Sequence, residues 1–185
     1  MGLRRKTTTL GMVFVVAGMT AWLVSENAEA QSADHNFVGV DSCGRCHRMP
    51  SSGDQLGQWQ STGHAGAYEV LASPEAATVA AAAGVDNPQE ADECLRCHTT
   101  AFGIPDSSLG EGFDRTQGVQ CESCHGAGAD YSPMATMRDH EQAIANGLIV
   151  PDEAVCVTCH NADSPTFTDF DFAARYSEIQ HPIPE

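Results

Sequence analysis

Four times in this sequence two cysteines stand three positions apart with a histidine directly after the second: Cys43-Gly44-Arg45-Cys46-His47, Cys94-Leu95-Arg96-Cys97-His98, Cys121-Glu122-Ser123-Cys124-His125 and Cys156-Val157-Thr158-Cys159-His160. These stretches use every cysteine of the chain. Two thiols at this spacing can bond covalently to a porphyrin edge while the adjacent imidazole ligates the iron, so the pattern is the attachment signature of c-type haem, and it predicts four covalently held haems c. A disulfide scaffold would also suit eight cysteines in an oxidising compartment, but it gives no reason for a histidine after every second one. Zinc could use both residue types, yet small exported domains seldom depend on labile thiolate sites. Haem attachment accounts for all of these residues at once.

Once His47, His98, His125 and His160 are assigned as proximal ligands, four of the 8 histidines remain: His35, His64, His140 and His181. A second histidine on an iron fills its sixth position and favours outer-sphere electron transfer over substrate binding. The count permits four saturated irons. His35 lies near the start of the mature chain, where a solvated histidine is an equal reading.

The first thirty residues stand apart. Arg4, Arg5 and Lys6 precede an apolar run from Leu10 to Val24, and Ala28 and Ala30 occupy the -3 and -1 positions of a small-residue cleavage site. Residues 1–30 are therefore read as a secretory signal peptide, which directs the chain to the periplasm, with a retained membrane anchor as the alternative. The remaining 155 residues, 31–185, form one domain; they hold 6 arginines, no lysine and 23 acidic side chains, for a net charge of -17. Such a surface would be repelled by a phosphate backbone, which excludes a general nucleic-acid binder, and would attract a basic partner. A high-salt adaptation would have the same composition.

The elements that must carry these groups are short. Trp59 to His64 reads as the start of a helix that continues through Ala67, Tyr68 and Leu71. Ser73-Pro74 is an N-cap followed by a first-turn proline, opening an alanine-rich helix over 75–83 that Gly84 closes. Residues 86–131 read as loops and short helical turns wrapped on haem faces. Ser132-Pro133 opens a helix from Met134 to about Asn146, with Gly147 as its C-terminal cap and His140 inside it. The aromatic stretch from Phe167 to Phe172 is suited to covering porphyrin, and a short helical segment leads from it to His181-Pro182, where proline restricts the backbone. Glu122, beside a haem cysteine, reads as an ordinary solvated carboxylate, with tuning of the haem as the less common alternative.

Taken together, these motifs resemble the tetrahaem cytochrome c-554 family. The resemblance covers almost all of 36–185 and rests on Cys43 to His47 followed by Trp59-Gln60-Ser61-Thr62-Gly63-His64-Ala65, on Cys94 to His98 followed by Ala101-Phe102-Gly103, on Gly118 through Gly126, and on Cys156 to His160 with the late His181. It implies a mostly α fold, a small multihaem cytochrome c with helices and loops wrapped around four closely packed haems. It also implies a periplasmic electron shuttle between redox proteins. Distal histidines are implied after the first, third and fourth motifs, matching His64, His140 and His181, each reaching a haem attached elsewhere. The haem of Cys94, Cys97 and His98 is implied to be the open one, and His35, a departure from the family pattern, is the candidate to close it. The family's best-known member is lysine-rich, so its docking charge does not carry over to this chain.

A non-enzymatic electron carrier is thus the leading expectation. A reductase of nitric oxide or a similar small molecule at one five-coordinate haem is the alternative, and a conductive assembly of haem proteins is a third class. With roughly 39 mature residues per haem, the core is expected to be largely porphyrin, and the chain is expected not to fold without it.

Overall fold

The computed structural model describes Gly2 and residues 35–181. Apart from Gly2, the segment read as a signal peptide falls outside the described residues, as does Pro182. Among the described residues the architecture is helical, without strands, and nine short α-helices alternate with 3₁₀ turns and loops. The helices are α1 (Val40–His47), α2 (Gln55–Gln60), α3 (Pro74–Ala82), α4 (Asp92–His98), α5 (Cys121–His125), α6 (Met134–Met137), α7 (His140–Ala145), α8 (Glu153–Cys156) and α9 (Phe172–Ile179). An isolated parallel bridge joins Phe37 to Leu109. No helix among the described residues is long and apolar enough to cross a membrane.

Helices this short do not persist on propensity alone, so their ends must be held. The side chains of Asp54, Ser73, Asp139, Asp152 and Asp171 each accept a main-chain N–H in the first turn of α2, α3, α7, α8 and α9. Each cap satisfies a donor that the first turn would otherwise leave unpaired. Helix α3 spans the alanine-rich stretch predicted from Ser73-Pro74, shifted by one residue, and Gly84 follows it at φ 77.

Two predicted helices are shorter in the structure. The helix expected through His64 to Leu71 ends at Gln60, because Ser61 Oγ donates to the Gln58 carbonyl (2.6 Å) and Thr62 Oγ1 to the Trp59 carbonyl (2.8 Å), terminating the ladder. The chain then turns and forms only a 3₁₀ turn at Glu69–Ala72. The helix expected from Met134 to Asn146 divides at Asp139, whose extended backbone (φ -110, ψ 101) and side chain start α7 anew. His140 is therefore the first residue of an exposed helix end and not an interior helical position. Gly147 does follow that helix in the left-handed conformation, φ 97.

The segment 36–39, which leads into α1, ties several loops together. Phe37 donates to the Ser108 carbonyl (2.9 Å) and accepts from Gly110 N–H (2.7 Å), while its ring meets Phe113 edge-on at 6.0 Å. Ala129 N–H donates to the Asn36 carbonyl (3.0 Å). Around it the buried apolar side chains are few and mostly small: Phe37, Val40, Leu71 and Tyr131 with four alanines. Met49, Val70, Met134 and Val150 are all more than half exposed. The polypeptide leaves much of its apolar surface without a protein partner.

Candidate haem sites

All four cysteine–histidine motifs fold as helical turns. The first three lie in α1, α4 and α5, and the fourth starts at the end of α8, where His160 N–H donates to the Cys156 carbonyl (3.0 Å). Positions i, i+3 and i+4 share one helical face, so each turn presents two sulfurs and one imidazole to the same side. A planar macrocycle bonded at its edge and ligated at its centre needs that arrangement.

The imidazoles are oriented from behind. His98 Nδ1 donates to the Ala67 carbonyl (2.5 Å) and His125 Nδ1 to the Ile149 carbonyl (3.1 Å). His47 Nδ1 faces Gln55 Oε1 at 3.2 Å. A carbonyl can only accept, so each of these contacts puts the proton on Nδ1 and leaves Nε2 with a free lone pair directed away, as a metal-ligating histidine requires. His160 is held differently: its ring stacks on Phe170, with centroids 4.8 Å apart and planes 17° from parallel. Burial lowers the pKa of His125 and His160 below the ordinary histidine value, which keeps both imidazoles neutral and competent to ligate.

Two of the remaining histidines meet motif histidines ring to ring. His64 lies 6.0 Å from His160 and His181 lies 5.8 Å from His125, centroid to centroid. Imidazole–metal bonds of about 2 Å on either side of a shared ion separate two ring centres by roughly 6 Å. Both pairs therefore have the spacing of a six-coordinate iron site. Burial, with His160 second, lowers the pKa of His64 as well. Among the described residues His35 and His140 enter no such histidine pair. His35 contacts the Asp130 carboxylate through Nδ1, and its ring lies against Gly147, where an added Cβ would come within 3.0 Å of it. His140 is exposed at the start of α7.

The sulfurs of different motifs also meet. The thiols of Cys43 and Cys121 lie near enough to influence each other's ionisation, as do those of Cys97 and Cys159, and Cys124 is destabilised as a thiolate by Cys156 and Cys159. Here free thiols stand for the thioethers of a haem-loaded chain. The neighbouring Cys121 thiol, with burial, drives the Cys43 pKa far up, and burial is the main reason that Cys97 and Cys124 are each raised to about 11. Among the described residues no three or more His, Cys, Asp and Glu side chains converge as a metal cage would. This donor set fits neither a zinc site nor a thiolate cluster.

Behind the motifs lies a buried polar frame. Glu122 is 3 % exposed, contrary to its reading as a solvated carboxylate, because its oxygens accept from the main-chain N–H groups of Val38 (2.9 Å), Gly39 (2.8 Å) and Gly128 (2.6 Å). Burial raises its pKa, against the three amides that lower it. Gln120 accepts from Val40 N–H (2.8 Å), and its amide donates to the Asp114 carbonyl (2.8 Å). Trp59 Nε1 donates to the Val119 carbonyl (2.8 Å) and Val119 N–H to the His64 carbonyl (3.0 Å). The Trp-to-His block and the Gly-Val-Gln block, separate in sequence, thus hold each other and fix His64.

The residues present fit a haem on each count that the structure tests: helical turns with three groups on one face, imidazoles turned Nε2 outward, histidine pairs at metal-bridging distance, and apolar side chains without protein cover. A cleft of about 350 Å³ between the second and fourth motifs, lined by Arg96, Cys97, Phe102, Ile104, Val119 and Cys159, has the volume of a cofactor pocket. Gln55, Phe170 and the carbonyls of Ala67 and Ile149 belong to the site although the sequence did not single them out. A main-chain acceptor leaves no mark in a sequence, and Phe170 was visible only as part of an aromatic stretch.

Residues 42–126 match the family described as cytochrome c554 and c-prime. Cytochrome c-554 of Nitrosomonas europaea is 29% identical over 125 residues, covering 64% of this chain and 51% of that protein, so the chain spans about half the length of the curated relative it matches. The solved structure of the reduced state of cytochrome c554 from the same organism superposes with a TM-score of 0.51 at 25% identity, over 79% of each chain. With helical turns presenting its cysteine–histidine motifs, the chain is similar in sequence and in fold to cytochrome c-554, a c-type cytochrome.

Proposed function

We propose that this chain is an exported, periplasmic electron carrier that relays electrons between redox proteins through four covalently bound haems c, one on each motif. The observation that carries the reading is the contact of motif with motif. Cys43 feels the charge of Cys121, Cys124 that of Cys156 and Cys159, and Cys97 that of Cys159, so these motifs are neighbours in space. Since the sulfurs would hold the porphyrin edges, the neighbouring motifs would pass electrons in the order first, third, fourth and second. The two ends of that series are the natural entry and exit. The haems supply the one-electron chemistry; the chain supplies spacing, the axial imidazoles and exclusion of water. His64 with His160, and His181 with His125, would hold two irons from both sides and so keep substrate off them.

The acidic mature surface selects the partner: a redox protein with a basic docking face, whose encounter rate falls as salt rises. The test is to count haems by intact mass, then to follow reduction of the pure protein and its reoxidation by a lysine-rich cytochrome at increasing ionic strength. Four haem masses, complete reoxidation and a rate that falls with salt are the expected results. Fewer than four haems, or a population that stays reduced, would overturn the four-haem relay; a rate indifferent to salt would remove the basic partner.

A further inference from the structure

The four proximal histidines differ in what stands behind them, and one difference is made by a side chain. His98 and His125 lean on main-chain carbonyls, and His160 on an aromatic face. His47 faces Gln55 Oε1, 3.2 Å from its Nδ1. We propose that Gln55 is a positioning residue for the first haem, fixing the His47 tautomer and, through the strength of that hydrogen bond, setting the reduction potential of the iron that His47 ligates. The inference rests on the reading that Cys43 and Cys46 carry a haem.

The geometry around Gln55 decides which way its amide points. Its Nε2 donates to the Ser52 carbonyl, an atom that can only accept, so Oε1 is the end presented to His47. The carbonyl that fixes the amide is itself fixed. Ser52 N–H donates to the Met49 carbonyl (2.9 Å), and the single Ser52 Oγ proton is shared between the Cys46 carbonyl (2.7 Å), within the first haem motif, and the Met49 carbonyl (2.9 Å). Gly53 and Asp54 follow in left-handed conformation, φ 97 and φ 47, and Asp54 caps α2 by accepting from Gly57 N–H. This turn brings the first residue of α2 back to a histidine eight positions earlier. Few non-glycine residues enter the left-handed region, aspartate among them, and here that conformation delivers Gln55 to His47.

An acceptor on Nδ1–H makes the opposite nitrogen a more basic ligand, and a more basic ligand favours ferric over ferrous iron. Gln55→Leu removes the acceptor. Gln55→Asn keeps the neutral amide but is one carbon too short to span the gap. Gln55→Glu supplies a stronger, anionic acceptor. In the haem-loaded protein, spectroelectrochemical titration is expected to show one couple of the set moving and the rest staying. That couple rises in Gln55→Leu and equally in Gln55→Asn, by about a tenfold change in the oxidised-to-reduced ratio at fixed potential, equivalent to about 59 mV for one electron, and it falls in Gln55→Glu. A change acting only on packing would not move Leu and Asn together and Glu the opposite way.

Haem retained on Cys43 and Cys46 with no couple moved, or with all three variants shifting in one direction, would overturn the role of Gln55 alone. Absence of haem from those cysteines in the wild-type protein, read by peptide mass, would overturn the site reading along with it. If the variants shed haem, proton NMR of the reduced wild-type protein decides: a slowly exchanging His47 Nδ1–H with a cross-peak to the Gln55 side chain supports the assignment, and a His47 N–H exchanging freely with solvent overturns it.

Discussion

Glu122 sits inside a haem-attachment motif, yet both of its oxygens turn away from that task to hold three main-chain amides, two from the 36–40 segment and one from Gly128. A glutamine of the same shape cannot do this. Whichever way the amide is placed, its NH₂ faces at least one of the three N–H donors, leaving a buried donor unpaired, at a cost of about 2 kcal/mol. Glu122→Gln is therefore expected to lower the thermal midpoint of the haem-loaded protein by roughly 4–8 °C for a chain of this size. The midpoint is read by circular dichroism, with haem content checked by mass, and a midpoint equal to wild type would show that the clamp carries no stability. The residue type argued for solvent, since glutamate is seldom buried. What reversed the outcome was a loop of bare N–H groups closing over it, and a sequence does not show where a loop will point its amides.

Between elements, the decisive contact is the crossing of the Gly118–Gln120 segment with His64–Ala67. Gly118 takes a left-handed φ of 76, and a Cβ there would lie 2.6 Å from the His64 carbonyl oxygen and 3.0 Å from that of Ala65. Gly118→Ala thus meets both a strained backbone and a clash with main chain that has no rotamer to yield. The segment carrying His64 must move, and with it the imidazole paired to His160 and the Ala67 carbonyl that orients His98. The expected outcome is a larger fraction of high-spin iron than in the wild type, detected by electron paramagnetic resonance; a spectrum unchanged from wild type would separate this crossing from ligand placement. The sequence contained both blocks and, through the family resemblance, marked both as significant. Trp59, His64 and Gly118 were legible as residues, but their meeting was not, because the hydrogen bonds that join them run to main-chain carbonyls. The motifs and the Ser73-Pro74 helix start were legible for the opposite reason: their spacing and caps are local. The break at Asp139 was missed because the same residue type that starts a helix can also restart one.

At the scale of the whole molecule, a chain of this length ordinarily closes around a continuous apolar interior, and the described residues of this one do not. Its buried apolar side chains among the described residues are Phe37, Val40, Leu71, Tyr131 and four alanines, while the largest side chains buried almost completely are Gln120, Val40 and Thr100. Alanine burial contributes little, and a polar residue buried among hydrogen bonds contributes about as much as it cost to desolvate. Against this stands an ordering cost of about 1–2 kcal/mol per residue for the backbone alone. The formal charge of -16 adds repulsion that compactness makes worse. Porphyrins bonded to the four helical turns would supply the missing apolar surface and, being tethered, at no cost in free cofactor concentration. The chain produced with all eight motif cysteines changed to alanine is expected to be unfolded: far-ultraviolet circular dichroism without a helical minimum, an expanded radius by scattering, and rapid proteolysis throughout. A compact, helical, protease-resistant chain without haem would show that the frame around Glu122 and Gln120 suffices by itself, and that the haems occupy a fold they do not hold together.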